Sequence, residues 1–171
     1  MPDLSPASPG PAQLRRDLRE GDDPLLDNRR AIAALSIFSA TVLGGIALFQ
    51  VGLIKKLPDP PLPPFDAGAV NGSTEAYARF STPDALLGMA NAAATACLAG
   101  AGMQDRWRDT PWIPLSLAAK AAVDATVAAK LTLDQWTKFG KFSIWSLLAA
   151  AASISAFPLT LPEAKRALRM L

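Results

Sequence analysis

The chain of 171 residues has no histidine and a single cysteine, Cys97. One thiol can form neither an internal disulfide nor a dithiol redox pair. Without imidazole there is no His-held haem or chlorophyll, no His-based zinc site and no Ser-His or Cys-His catalytic pair. Charge is also scarce: Lys and Arg exceed Asp and Glu by only 17 to 15. No basic stripe with interleaved aromatics is present, so nucleic acid is not an expected partner. No metal site is expected.

What is abundant is apolar sequence. Half of the residues are hydrophobic and mean hydropathy is +0.21, which a soluble domain of this size rarely shows. The charges collect at the ends and in short connecting segments, with long apolar runs between them. These features predict an all-α, transmembrane four-helix bundle. Its spans are residues 31–54, 83–103, 111–133 and 142–161, within a domain of residues 30–165. A polar, Pro- and Arg-rich tail (1–29) precedes it and a basic stub (166–171) follows. The tail has no apolar segment directly after a basic start, so no signal peptide is expected. Its composition reads as disordered, with a short amphipathic helix possible from Ala12 to Leu18.

Local signals set the expected boundaries. Asp27 or Asn28 can cap the first span, and Lys55 and Lys56 end it. Thr82 and Thr110 are candidate caps, with Pro83 and Pro111 at the first helical positions. Pro158 and Pro162 should stop the fourth span. Between the first two spans, the stretch from Leu57 to Phe65 carries too many prolines for regular helix and should form an outer loop, with a short helix possible from Ser73 to Phe80. Trp107, Trp112, Trp136 and Trp145 fall near expected interfaces, as an aromatic belt does.

Four spans place both termini on one side. That side holds ten basic residues (Arg15, Arg16, Arg19, Arg29, Arg30, Arg106, Arg108, Lys165, Arg166, Arg169) against five on the other (Lys55, Lys56, Arg79, Lys138, Lys141). The excess predicts a multi-pass protein of the cell inner (plasma) membrane with both termini cytoplasmic.

Few residues inside the spans carry chemistry. Lys120 and Asp124, four apart, share a helical face and form a candidate intramembrane ion pair; a proton or ion relay competes with a neutralising pair that faces the bundle. Asn91 and Thr95, also four apart, can hydrogen-bond a quinone or lipid headgroup, or another helix. Gly88, Ala92, Ala96 and Gly100 recur at every fourth residue and mark a helix-packing stripe. Cys97 reads as a small buried hydrophobe.

The run PDALLGMANAAATACLAGAG, followed by KAAVDATVAAKLTLDQWTKFGKFSIWSLLAAAASISAFPLTLPEA, resembles bacterial members of the vitamin K epoxide reductase family. The resemblance extends from Arg30 to Leu168 and is most specific between Lys120 and Pro162. It implies a four-helix bundle that holds a quinone near its outer face. It also implies a Cys-x-x-Cys motif at the start of the fourth helix that passes electrons between quinone and disulfides, with an aromatic residue, here Trp145, beside the second motif position. In this chain the motif positions are Ser143 and Ser146, and no cysteine lies between Lys55 and Thr82. Thiol–disulfide exchange needs a thiolate that can form and break S–S bonds, which a serine hydroxyl cannot do; Ser143 reads equally as a helix N-cap. The expectation is therefore no enzyme. The chain should be a non-catalytic membrane subunit that packs against a larger respiratory or photosynthetic electron-transfer complex in the lipid bilayer. The alternative is a quinone- or lipid-binding protein that kept the pocket, with Asn91, Thr95 and Trp145 as contacts. An active thiol–disulfide/quinone oxidoreductase is the least favoured outcome.

Overall fold

The computed structural model describes residues 9–171; the tail expectations for residues 1–8 lie outside it. Among the described residues there are helices and turns but no strand. The helices are α1 (Pro9–Glu20), α2 (Pro24–Gln50), α3 (Ala67–Asn71), α4 (Asp84–Gly100), α5 (Arg106–Asp109), α6 (Trp112–Asp134) and α7 (Ile144–Leu168). A 3-10 turn covers Thr74–Tyr77, and a π-helical turn, Gln135–Phe139, extends α6. Three segments, Pro24–Gln50, Trp112–Phe139 and Ile144–Leu168, are long and apolar enough to cross a membrane.

Several boundaries differ from expectation for identifiable reasons. The segment from Pro9 to Glu20, read as part of a disordered tail, is helical beyond the short Ala12–Leu18 stretch. Its start meets the bundle at Met103, close to Gly10, and its end is held by Arg30, whose guanidinium donates to Leu18 O and Gly21 O. α2 begins at Pro24, not near Ala31, because Asp23 is the cap: its carboxylate accepts from Leu25 N at 2.7 Å, ahead of Asp27 and Asn28. The helix ends at Gln50, before Lys55 and Lys56. Thr82 and Thr110 do not cap; their hydroxyls donate to Phe80 O and Arg106 O.

Pro158 and Pro162 do not stop α7, which continues through both to Leu168. An internal proline costs a helix about 3 kcal/mol or more. The continuation buries Thr160, Glu163, Ala164 and Ala167 on one face, and that burial, with the ion pair described below, outweighs the cost.

α2 packs against α4 and α7, and α6 against α7; α4 and α6 touch only lightly. One apolar cluster, with Ile46, Ala47, Leu57, Ala67 and Ala85, fills the end of the bundle nearest the Pro-rich loop. Another, with Ile32, Ala99, Leu117 and Ala156, fills the opposite end. The loop is pinned to the start of α7: Phe142 N donates to Pro64 O, and Asp66 N donates to Phe142 O. Asp66 also caps α3 and meets Lys141 at 3.2 Å. The N–H of Ala69 and the Lys141 ammonium hold its carboxyl below the usual carboxylate range.

The tail end of the bundle is locked by charge. Arg106 and Glu163 form a two-pronged ion pair at 2.7 and 2.6 Å, with side-chain exposures of 0% and 5%. Arg106 further donates to Leu98 O and Ala101 O, while Arg29 donates to Ala99 O, Ala101 O, Gly102 O and Met103 O. The last carbonyls of α4, which have no partner in their own helix, are thus satisfied by two buried guanidinium groups.

Candidate functional site

At the loop end, α2, α3, α4, the π-helical turn and α7 converge on one polar knot. Ser143 is the N-cap of α7; its hydroxyl accepts from Ser146 N at 3.2 Å and is fully buried. Asn71, the last residue of α3, bridges both motif serines. Its Nδ2 donates to Ser143 Oγ at 2.8 Å, and its Oδ1 accepts from Ser146 Oγ at 2.8 Å. Gln135 Oε1 accepts from Ser143 N at 2.8 Å. On the other flank, Gln50 Nε2 donates to Asn71 O and to Asp84 Oδ1, and Gln50 Oε1 accepts from Ala85 N. Gln50, Asn71 and Gln135 were not singled out by sequence reasoning. Gln50 alone carried a signal, as a lone amide inside an apolar run.

The knot is the roof of a cavity of about 660 Å³ that runs down between α2, α4, α6 and α7. Asn71, Asp84 and Ser146 line its top. Asn91, Thr95 and Asp124 line its middle. Leu43, Ile46, Leu87, Val127 and Ala149 form an apolar wall between them, and Lys130 and Asp134 of α6, with Glu75, Arg79 and Lys138, line the cavity as well. The light contact between α4 and α6 leaves this side the least closed, and Val123 and Val127 are both cavity-lining and exposed.

The structure joins the two candidate pairs into one cluster. Lys120 Nζ donates to Asp124 Oδ2 and to Thr95 Oγ1, both at 2.7 Å. Asn91 Nδ2 donates to Asp124 Oδ1 at 3.0 Å, and Thr95 Oγ1 lies 3.2 Å from Asp124 Oδ2. The cluster therefore bridges α4 to α6 across their loose seam. Asp124 faces the cavity and Lys120 does not line it.

Trp145 is not a cavity residue. Its indole Nε1 donates to Pro58 O at 2.9 Å, and its ring packs on Gly45 of α2. The glycine–alanine stripe divides. Ala92 is buried, and a Cβ at Gly88 would come within 3.0 Å of Leu43 of α2. A Cβ at Gly100 would meet nothing within 4 Å, so the expectation that Gly100 is a contact position is corrected. The buried face of α4 runs through Ala85, Ala92, Thr95 and Ala99, because a 3.6-residue helix turns away from a strict four-residue repeat. Cys97 is exposed rather than buried, on the far side of α4.

As an arrangement, the knot holds hydroxyls and amides in fixed hydrogen bonds beside the cavity. With both Asn71 Nδ2 hydrogens and the Ser146 hydroxyl hydrogen already donated, the spare capacity facing the cavity is acceptor capacity, at Asn71 Oδ1 and Ser146 Oγ. The motif serines are committed to capping and to Asn71, with no imidazole in the chain to activate them and its one thiol, Cys97, exposed on α4. Ser143→Ala should cost about 1 kcal/mol through the lost cap, with a further loss from the unpaired Asn71 amide. Thermal unfolding in detergent would measure it, and an unchanged midpoint would mean the cap is dispensable.

A family model described as the Vitamin K epoxide reductase family matches residues 30–161. No curated protein and no solved structure matches the chain.

Proposed function

Because the chain belongs to the vitamin K epoxide reductase family, a family of membrane proteins, we propose that it is a non-catalytic member whose work is binding: its cavity holds a quinone or a lipid of similar ring-and-tail chemistry. The observation that carries this reading is the cavity roofed by Asn71 and Ser146, with Ser143 buried behind them and bonded to Asn71. Hydroxyls occupy the redox motif there, yet the space beneath stays open. Binding needs only a few polar partners and apolar walls, and both are present: Asn71 Oδ1 and Ser146 Oγ keep lone pairs that can accept from a ligand hydroxyl, as a reduced quinone presents. Electron transfer to disulfides needs paired sulfur, which the sequence lacks.

In this reading α4 also crosses the bilayer, giving four spans and termini on one, cytoplasmic, side. At 17 residues α4 is short for a hydrocarbon core of about 30 Å. Its reach is extended by its attachments: Gln50 at the end of α2 holds Asp84, and Arg29 near the start of α2 holds Met103. α4 and its C-terminal turn therefore match most of the length of α2. The larger basic count at the tail end sets the orientation.

A second role is favoured by one feature. The exposed face of α4 carries Ala90, Ala93, Ala94 and Cys97, small residues that let another transmembrane helix approach closely. An accessory place in a larger electron-transfer complex, respiratory or photosynthetic, is consistent with that face and with the quinone chemistry of the family.

One purification tests both. The protein extracted in mild detergent should yield quinone or lipid in an organic extract, and Ser146→Ala with Asn71→Ala should lower its stoichiometry several-fold. Migration as a larger assembly would support the accessory role. A ligand-free monomer would count against both readings, and turnover of a quinone with a dithiol by the isolated chain would overturn the non-catalytic one.

A further inference from the structure

The cavity has a second polar level. Seven residues below Ser146 on α7, about 10 Å along the axis at 1.5 Å per residue, Ser153 also lines it. Helix pairing puts Ser39 of α2, Asn91 and Thr95 of α4, and Asp124 of α6 at a similar depth. Leu43 meets Gly88 one turn nearer the loop, and Asn91 and Thr95 bond Asp124 directly. Each of the long helices thus contributes a polar side chain to one belt of the cavity, whose lining toward the loop end also includes Glu75, Arg79, Lys130, Asp134 and Lys138.

The belt is not closed on itself. Ser39 is 3% exposed and lines the cavity, and among the described residues its hydroxyl has no hydrogen-bond partner. Asn91 uses one side-chain N–H toward Asp124, leaving Oδ1 and the second Nδ2 hydrogen available. Lys120 already neutralises Asp124, so the belt suits a neutral group rather than an ion. A hydrocarbon chain lying here would leave the Ser39 hydroxyl and the second N–H of Asn91 unpaired, at a cost comparable to a lost hydrogen bond for each.

We propose that this belt is a second anchoring site, which takes a neutral hydroxyl or carbonyl at the far end of an apolar ligand whose near end meets Asn71 and Ser146. The cavity thereby selects a rigid molecule with oxygen at both ends, about 10 Å apart, over a ring that bears only a hydrocarbon tail. The inference rests on the binding reading above and adds the specificity of that site.

The test compares two fused-ring probes in the purified, delipidated protein: an anthraquinone with one terminal hydroxyl, and one with hydroxyls at opposite ends of its long axis. The doubly hydroxylated probe should bind about fivefold to tenfold more tightly, the gain of one net hydrogen bond. Ser39→Ala should erase that advantage while leaving the singly hydroxylated probe's affinity unchanged. Equal affinity of the two probes for the unaltered protein would overturn the second anchor and leave ring binding intact. An equal loss of both probes in Ser39→Ala would make the belt structural and overturn it too. Failure of both probes to bind would overturn the anchor together with the binding reading.

Discussion

Glu163→Ala is expected to destabilise the protein by about 3–5 kcal/mol, because it strands the Arg106 guanidinium in a buried site without its counter-charge. Arg106 has no exposed side-chain surface and Glu163 only 5%, so water cannot replace the lost carboxylate. The damage spreads through one connected unit: Arg106 also holds Leu98 O and Ala101 O, and Arg29 shares the Ala101 carbonyl. Losing the pair loosens the end of α4 as well as the last turns of α7. Removal of both charges, as Arg106→Met with Glu163→Leu, should cost less than Glu163→Ala alone, because no buried charge is left unpaired. Thermal unfolding in detergent with the two singles and the double measures the coupling. A Glu163→Ala midpoint equal to that of the unaltered protein would show that the pair is solvated in the bilayer and contributes little.

A second large effect is expected at Gly45. A Cβ built there would lie 2.7 Å from Cζ3 of Trp145, closer than real contacts allow. The indole cannot simply swing away, because its Nε1 is tied to Pro58 O and its ring packs on the loop-end cluster. Gly45→Ala should therefore cost about 1–3 kcal/mol by overpacking, and Gly45→Leu more, by prising α7 from α2. Gly100→Ala is the contrast: it faces open space and replaces a poor helix former, so it should be neutral or stabilise by up to about 1 kcal/mol. A Gly45→Ala protein as stable as the parent, or a Gly100→Ala protein clearly weaker, would show that the helices sit differently from this arrangement. Neither glycine was separable by sequence from its neighbours. Gly44, beside Gly45, has only the flexible end of Met89 within reach, at 3.8 Å.

The sequence carried the helical content, the apolar segments and the family because each is written in local composition. Long uncharged runs such as that from Ala31 to Ile54 have one low-cost solution in lipid, a helix that satisfies its own backbone. The ion pair of Lys120 with Asp124 was legible for the same reason, since four-residue spacing is a property of one helix. The helix ends were less legible where packing competed with local signals. Pro158 and Pro162 read as stops, yet α7 runs through them because its next turns bury Glu163 against Arg106, a partner 57 residues away.

Of the candidate site, the sequence alone marked Ser143 and Ser146, by resemblance, and Asn91, Thr95 and Asp124, by their polarity inside apolar runs. It had no means of indicating that Asn71 bridges the serines, that Gln50 ties them to α4, or that Trp145 turns toward Pro58 and away from the cavity. Those are relations between side chains distant in the chain, and only the packing of the helices decides them. Sequence by itself determined that the chain is helical, apolar, poor in sulfur and a member of its family, since each follows from residue type and order. Tertiary structure decided where the polar groups meet and where space remains, because a hydrogen bond and a cavity both depend on which helix faces are brought together in three dimensions.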